Sequence, residues 1–194
     1  MAETKNKNSV FGDKLTTQVG RLSFPHLLKP STEGQYASGK YETGFLIPKS
    51  KDVKPMADAA LTVARAAWPK KKFESLADLA FEPIRDGDQM ADDGDGKKET
   101  FRGHWYIRAK TSRKPGLVDA AGNNLEDGEE VYGGQRARLS LAPFSYETAG
   151  KPGVTWMLRN VQIVGGGERF GGGGNPSDDF GALEDDGSGF DNNI

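Results

Sequence analysis

A small, mainly β barrel of five short antiparallel strands with one α-helix inserted is the fold class this sequence predicts, and three observations point to it. Apolar and polar residues alternate with period two over five separate stretches, the pattern of half-buried strands. Glycine, proline, asparagine and aspartate cluster between those stretches, where chain reversals need them; the 194 residues include 26 Gly and 10 Pro. The hydrophobic fraction is 35%, enough for one core and too little for two.

Residues 1–14 are polar and read as a flexible N-terminus ahead of a body at 15–164. Strands are expected at 18–26, 41–47, 104–110, 136–144 and 154–164. The rhythm breaks at 52–68 (DVKPMADAALTVARAAW), which is rich in Ala and Leu. Asp52 suits the N-cap, Pro55 the first turn and Pro69 the stop of a helix there. Met56, Ala60, Val63, Ala64 and Ala67 share a face of it, expected to plug or flank the barrel. Residues 70–81 open with Lys70, Lys71 and Lys72 and read as adding a helical turn or two. Residues 86–96 hold five acids among glycines and read as a solvated loop. In the last strand Trp156 and Leu158 share one face while Met157, Val161 and Ile163 take the other, which implies burial on both sides, with room for a bulge.

The net charge of −2 averages two unlike parts. Residues 165–194 hold seven acids and one base, a net of −6, which leaves +4 for residues 1–164. The stretch 165–174 (GGGERFGGGG) is too glycine-dense to order without buried side chains and reads as a flexible tether. Residues 175–194 have six acids, no base and scattered apolar groups, the composition of a disordered arm. Acid pairs alternate there with single apolar residues, and Asp178, Asp179, Phe180, Asp185, Asp186, Phe190 and Ile194 are the candidate partner-binding residues. Such an arm can occupy a basic groove until phosphates displace it.

Several chemistries drop out. There is no Cys, and only His26 and His104, so a disulfide scaffold and a zinc centre are excluded. No apolar run approaches a membrane span, and a reducing, cytoplasmic setting is expected. The near-match to a phosphate loop at 34–41 (GQYASGKY) has Tyr41 where the magnesium-binding hydroxyl belongs and leads into a strand rather than a helix. The tail glycines lack a following helix, and Phe170 stands where a dinucleotide fingerprint needs its third glycine. An EF-hand alignment of the acidic stretch puts Ala91 at the first ligand position and Arg102 at the last. No nucleophile elbow or triad pattern appears. Neither metal nor cofactor is expected, and one enzymatic alternative stays open: a magnesium-dependent nuclease or recombination enzyme using Asp86, Asp88, Asp92, Asp93 and Asp95.

The strand at 104–110 carries the binding signal. Alternation puts Trp105, Ile107 and Ala109 inward and His104, Tyr106, Arg108 and Lys110 outward. Rings beside cations suit an unpaired nucleic-acid strand, which offers exposed base faces and repeating phosphates. Arg113 and Lys114 extend the stripe into the next turn. The strand at 136–144 repeats the arrangement, with Arg136, Arg138, Ser140 and Phe144 outward, so two neighbouring strands are expected to share one basic face. Tyr41 shares a face with Phe45 and either lies in an apolar strand or lends a stacking ring.

Residues 133–146 (GGQRARLSLAPFSY), 150–154 (GKPGV) and 160–164 (NVQIV), with 41–49 (YETGFLIPK) and 114–119 (KPGLVD), resemble bacteriophage single-stranded DNA-binding proteins over about residues 15–170. The chain is also similar to the T7-type phage proteins. The resemblance implies an OB-fold, a five-stranded Greek-key barrel that binds single strands across one face without sequence preference. It implies no enzymatic activity and a protein that coats a phage's replication and recombination intermediates in the host cytoplasm. An acidic tail would recruit replication or recombination proteins, with either Ile194 and its carboxylate or Phe180 and Phe190 as anchors. RNA remains open as a ligand, as does self-association through an edge strand or a swapped tail. One departure stands out: the usual OB-fold helix follows the third strand, whereas 52–68 follows the second.

Overall fold

The computed structural model describes residues 9–32, 37–94, 98–125 and 129–170. All seven tail residues named above, and Asp95, lie outside them.

In chain order the elements are β1 (Leu15–Thr16), β2 (Gly20–His26), β3 (Tyr41–Pro48), α1 (Lys54–Ala67), β4 (Arg85–Asp86), α2 (Gly87–Asp92), β5 (His104–Thr111), β6 (Gly116–Val118), β7 (Arg136–Thr148) and β8 (Lys151–Gly165). Five of these strands close a ring. β2 pairs with β3, β3 with β5, β5 with β8, β8 with β7 and β7 with β2; only the β5–β8 seam is parallel. Closure around a parallel seam is the five-stranded Greek-key arrangement of an OB barrel. The three short strands, β1, β4 and β6, dress its edges and had no period-two pattern long enough to read.

The core lies inside the ring. Leu22, Phe45, Ile47, Ile107, Ala109, Leu139, Leu141, Val154, Trp156 and Leu158 point inward and are buried. α1 lays Met56, Ala60, Leu61, Val63 and Ala64 onto that core against β7 and β8. Ala67, expected on the same face, is only half-buried, and Leu61 takes a place instead. The N-cap is Val53, one residue later than the expected Asp52, although Asp52 accepts the Lys54 amide at 2.8 Å; Pro55 lies in the first turn and Pro69 just past the end.

Two bulges adjust the registers. In β8, Asn160 pairs with Ser140 but Leu158 pairs with Leu141, which leaves Arg159 as the extra residue. The inward parity flips there, so Val161 and Ile163 join the core that holds Trp156 and Leu158. In β2 the bulge falls between Ser23 and His26. The β7–β8 hairpin turns on Ala149 (φ 50°) and Gly150 (φ 76°), the two positive φ values of a type I′ turn.

Both ends of the body reach further than the sequence suggests. Val10, Gly12 and Thr17 run beside β7, with Gly12 N–H bonded to Pro143 O at 2.8 Å and Ser145 N–H to Val10 O at 2.9 Å. A Cβ on Gly12 would stand 2.7 Å from Val63 and 2.8 Å from Pro143, so only glycine fits between helix and strand. Past β8, Phe170 N–H bonds to Gly133 O at 2.9 Å. The Arg21 guanidinium lies 4.5 Å from the Phe170 ring centroid, and Arg169 pairs with Glu130. Contacts thus hold the first part of the expected tether against the barrel.

Candidate nucleic-acid interface

On the outer face of β5 the alternation holds: Ile107 and Ala109 are buried in the core, while Tyr106, Arg108 and Lys110 face outward. They line a cleft of about 530 Å3, closed on one side by residues 80–93 and on another by the β7–β8 hairpin. Phe81, Arg85 and Tyr146 complete its cations and rings, while Glu82, Asp86 and Asp93 line the side formed by residues 80–93.

The wall at 80–93 is tied down at several points. Trp156 Nε1 donates to Pro83 O at 2.8 Å, and Ala80 N–H bonds to Pro152 O at 3.0 Å. Lys49 Nζ reaches Asp86 and Asp88, each at 2.6 Å, and Gly103 N–H donates to Asp88 at 2.6 Å. Within the stretch expected to be a solvated loop, 86–96, residues Gly87–Asp92 instead form α2, a short helix N-capped by Asp86, whose side chain accepts the Asp88 amide; residues 95–96 lie outside the described residues. Lys49 neutralises the acids that would otherwise repel one another. The lysine bond holds the Asp86 carboxyl below its ordinary pKa; the Gly103 amide, then Lys49, does the same for Asp88. Asp92 pairs with Arg102. Among the described residues no group of three His, Cys, Asp or Glu is placed to hold a metal ion.

That wall sets Arg85 opposite Tyr106 in register. Its guanidinium is 5.1 Å from the Tyr106 ring centroid, and Phe101 stacks on Tyr106 with centroids 5.1 Å apart and planes 13° apart. Burial pushes the Tyr106 phenol above its ordinary pKa. Beneath the ring is Gly44, where a Cβ would stand 2.8 Å from Tyr106 Cε2. Arg108 donates to Glu42 at 2.8 Å; the Glu42 side chain is 6% exposed and that of Arg108 47%. Burial, then the neighbouring charges of Arg108 and Lys40, pull the Lys110 ammonium below its ordinary pKa; Arg108 and Lys110 line the cleft, and Lys40 does not.

Two aromatic pairs flank it. Phe81 stacks on Tyr146 (centroids 5.7 Å apart) and Phe11 on Phe144 (5.5 Å). Phe144 faces Thr155 of β8, and the parallel seam puts Thr155 beside Arg108.

The remaining expected residues are placed as follows. Arg113 and Lys114 are exposed in the turn between β5 and β6, continuing from Lys110. Arg136 and Arg138 are exposed but stand apart from Arg108. β8 lies between β5 and β7, so the two basic strands are not neighbours. Lys110 pairs with Met157 whereas Arg138 pairs with Gln162, about 16 Å further along β8 at the usual rise per residue. Arg136 instead pairs with Arg21 of β2. Tyr41 is on the Phe45 side of β3, the opposite parity from Arg108's partner Gly44. Sequence reasoning left Arg85, Phe81, Tyr146 and Phe11 out of the candidate site; Tyr146 continues the Phe144 alternation within β7 beyond the expected end of that strand, and the other three lie outside the five expected strands.

A closed OB ring whose outer face carries clustered cations and stacked rings defines an oligonucleotide-binding barrel. The chain belongs to the family described as "Enterobacter phage Enc34, ssDNA-binding protein", whose model matches residues 13–190. Protein p50 of Acyrthosiphon pisum secondary endosymbiont phage 1 is 30% identical over 163 residues, 79% of this chain and 84% of p50. The single-stranded DNA-binding protein of bacteriophage Enc34, solved in complex with ssDNA, superposes with a TM-score of 0.67 at 25% identity, covering 87% of this chain and 97% of that one. The fold is also that of gp2.5, a single-stranded DNA-binding protein of bacteriophage T7 (TM-score 0.54, 15% identity, 80% and 93% covered).

Proposed function

We propose that this chain binds single-stranded DNA without sequence preference and coats a phage's replication and recombination intermediates in the host cytoplasm. The observation that carries the reading is the convergence of Arg85, Arg108 and Lys110 with the rings of Tyr106, Phe81 and Tyr146 in one cleft of an OB barrel. Phosphates are neutralised by Arg108, Lys110, Lys40 and Arg85, with Arg113 and Lys114 extending the track. A phosphate that draws Arg85 away also clears the Tyr106 ring for a base. Phe81, Tyr146 and Phe144 offer further stacking surface, each worth about 1–3 kcal/mol per base. Arg136 and Arg138, with Arg21, form a second basic strip for strand leaving the cleft. The binding act itself involves no bond breaking, and the ligated acids of α2 support a wall rather than a metal site.

The tail at 175–194 competes for the same cations and, once displaced, recruits replication or recombination proteins through Asp178, Asp179, Phe180, Asp185, Asp186, Phe190 and Ile194. Its excess of acids supports that reading.

Tyr106→Ala tests the site: binding to oligo-dT should weaken several-fold, and unchanged affinity removes Tyr106 from it. Incubating labelled single strands with magnesium tests the nuclease alternative, for which cleavage abolished by Asp93→Ala is the required result. Competition with RNA of matching sequence decides whether the sugar is read.

A further inference from the structure

The bulge in β2 carries costs that barrel closure does not explain. Between the pairs Ser23–Gly44 and His26–Glu42, three steps of β2 span two of β3. Phe24 sits there at φ 46°, and its side chain is 76% exposed. Left-handed backbone is rare for a residue with a bulky side chain; glycine or asparagine fits it better. Beside it the Ser23 hydroxyl is buried with no hydrogen-bond partner among the described residues. Ala149 shares the positive φ, but its two-residue hairpin turn demands it. Phe24 is in no such turn, since β2 runs on to His26. Pro25, which has no N–H for the ladder, accounts for the break in pairing; the left-handed backbone and exposed ring of Phe24 and the orphaned Ser23 hydroxyl are costs added to it.

What the bulge displays is an exposed ring, two strands from the cations of β5 in register. Ser23 pairs with Gly44, which pairs with Arg108; His26 pairs with Glu42, which pairs with Lys110. Phe24 therefore projects between two cross-strand rows that end on the cleft's two β5 cations, two strand spacings or about 10 Å away. The intervening position on the Arg108 row is Gly44, and over it lies the Tyr106 ring rather than a side chain of β3. Lys40 directly precedes β3 with the same parity as Glu42 and Gly44, the partners of Lys110 and Arg108, and its charge acts on Lys110.

We propose that Phe24 is a base-stacking platform: its ring takes the face of an unpaired nucleobase whose neighbouring phosphates lie on Arg108, Lys110 and Lys40. This rests on the single-strand reading above and deepens it, because it adds a binding position outside the cleft, at the end of the track remote from Phe81. Every base presents a π-face, so the position is indifferent to sequence.

The test uses the full chain with fluorescent oligo-dT of about 4 and about 16 nucleotides, the range of one OB-fold's footprint. Phe24→Asn removes the ring yet suits the left-handed backbone, so its thermal midpoint should equal or exceed the parent's. Its affinity for the longer strand should fall by about 5- to 100-fold, the equivalent of one lost base stack. Binding of the shorter strand, which fits within the cleft, should stay within about twofold of the parent's. Phe24→Trp should keep the affinity and lose emission on saturation, beyond the change given by the parent's own tryptophans. If Phe24→Asn binds the longer strand as well as the parent does, or the new tryptophan's emission does not move, the platform is wrong while the cleft reading stands. If the parent binds neither strand, the single-strand reading itself fails.

Discussion

Arg108 is the residue whose removal separates binding from folding most cleanly. It sits 47% exposed against a Glu42 side chain that is 6% exposed, at 2.8 Å. Because the guanidinium is half in water, the pair itself contributes little, in the 0–1 kcal/mol range of screened ion pairs. Arg108→Ala nevertheless strands a buried carboxylate whose other hydrogen bond is from the Ser38 hydroxyl at 2.9 Å. An abandoned buried acceptor costs about 1–3 kcal/mol, a drop of several degrees in thermal midpoint for a chain of this size. Binding loses a charge-assisted phosphate contact, about 1.5–3 kcal/mol or roughly 10- to 100-fold. The slope of log affinity against log salt should shrink by about 0.7, the value per phosphate for single strands. Adding Glu42→Gln removes the stranded charge, so the double variant should regain stability and stay weak in binding. Fluorescence anisotropy with oligo-dT at several salt concentrations, alongside thermal melts, reads both quantities. Restored affinity in the double variant, or a salt slope unchanged in Arg108→Ala, refutes the assignment of Arg108 to a phosphate.

Further outcomes follow from the same geometry. Gly44→Ala places a methyl 2.8 Å from Tyr106 and 3.1 Å from the Ser23 carbonyl; with the ring held by Phe101 and Arg85, melts should show a loss of about 1–3 kcal/mol together with weaker DNA binding. Asp86 and Asp88 have lowered pKa values, so their stabilisation is present above the ordinary carboxylate pKa of about 4 and lost as pH falls through the lower folded values. The melting difference between the parent and Lys49→Met should accordingly vanish in acid, and a gap that persists there contradicts the role given to Lys49. Deleting residues 175–194 should raise DNA affinity at low salt and have little effect at high salt, where screening already weakens the arm; a fall in affinity overturns the competition.

The barrel was legible where strands are long. Period-two alternation located β2, β3, β5, β7 and β8 and the inward faces of Ile107 and Leu139, because one-sided burial forces that pattern. α1 was legible from Pro55, Pro69 and its alanines. The short pieces were not: β1, β4 and β6 exist through pairing with strands far along the chain. α2 exists because Lys49, some forty positions earlier, neutralises Asp86 and Asp88. For the candidate site, alternation put Tyr106, Arg108 and Lys110 on one outer face, where they stand. Its expectation that the strand of Arg136 and Arg138 neighbours theirs fails, since which strands are neighbours and in what register depends on the β5–β8 seam. Arg85 was invisible because its position over Tyr106 is set by anchors on Pro83, Asp86 and Asp88 rather than by any local pattern.

The central claim, that the β5 cleft grips unpaired strands through phosphate charge and base faces, meets its most direct test in one titration. A fluorescent oligo-dT and a duplex of equal length are titrated with the full chain across a salt series. Tight single-strand binding with a log–log salt slope of about −3 to −4, as four to six phosphate contacts give, and much weaker duplex binding are expected. Equal affinity for the duplex, or a slope near zero, contradicts the claim.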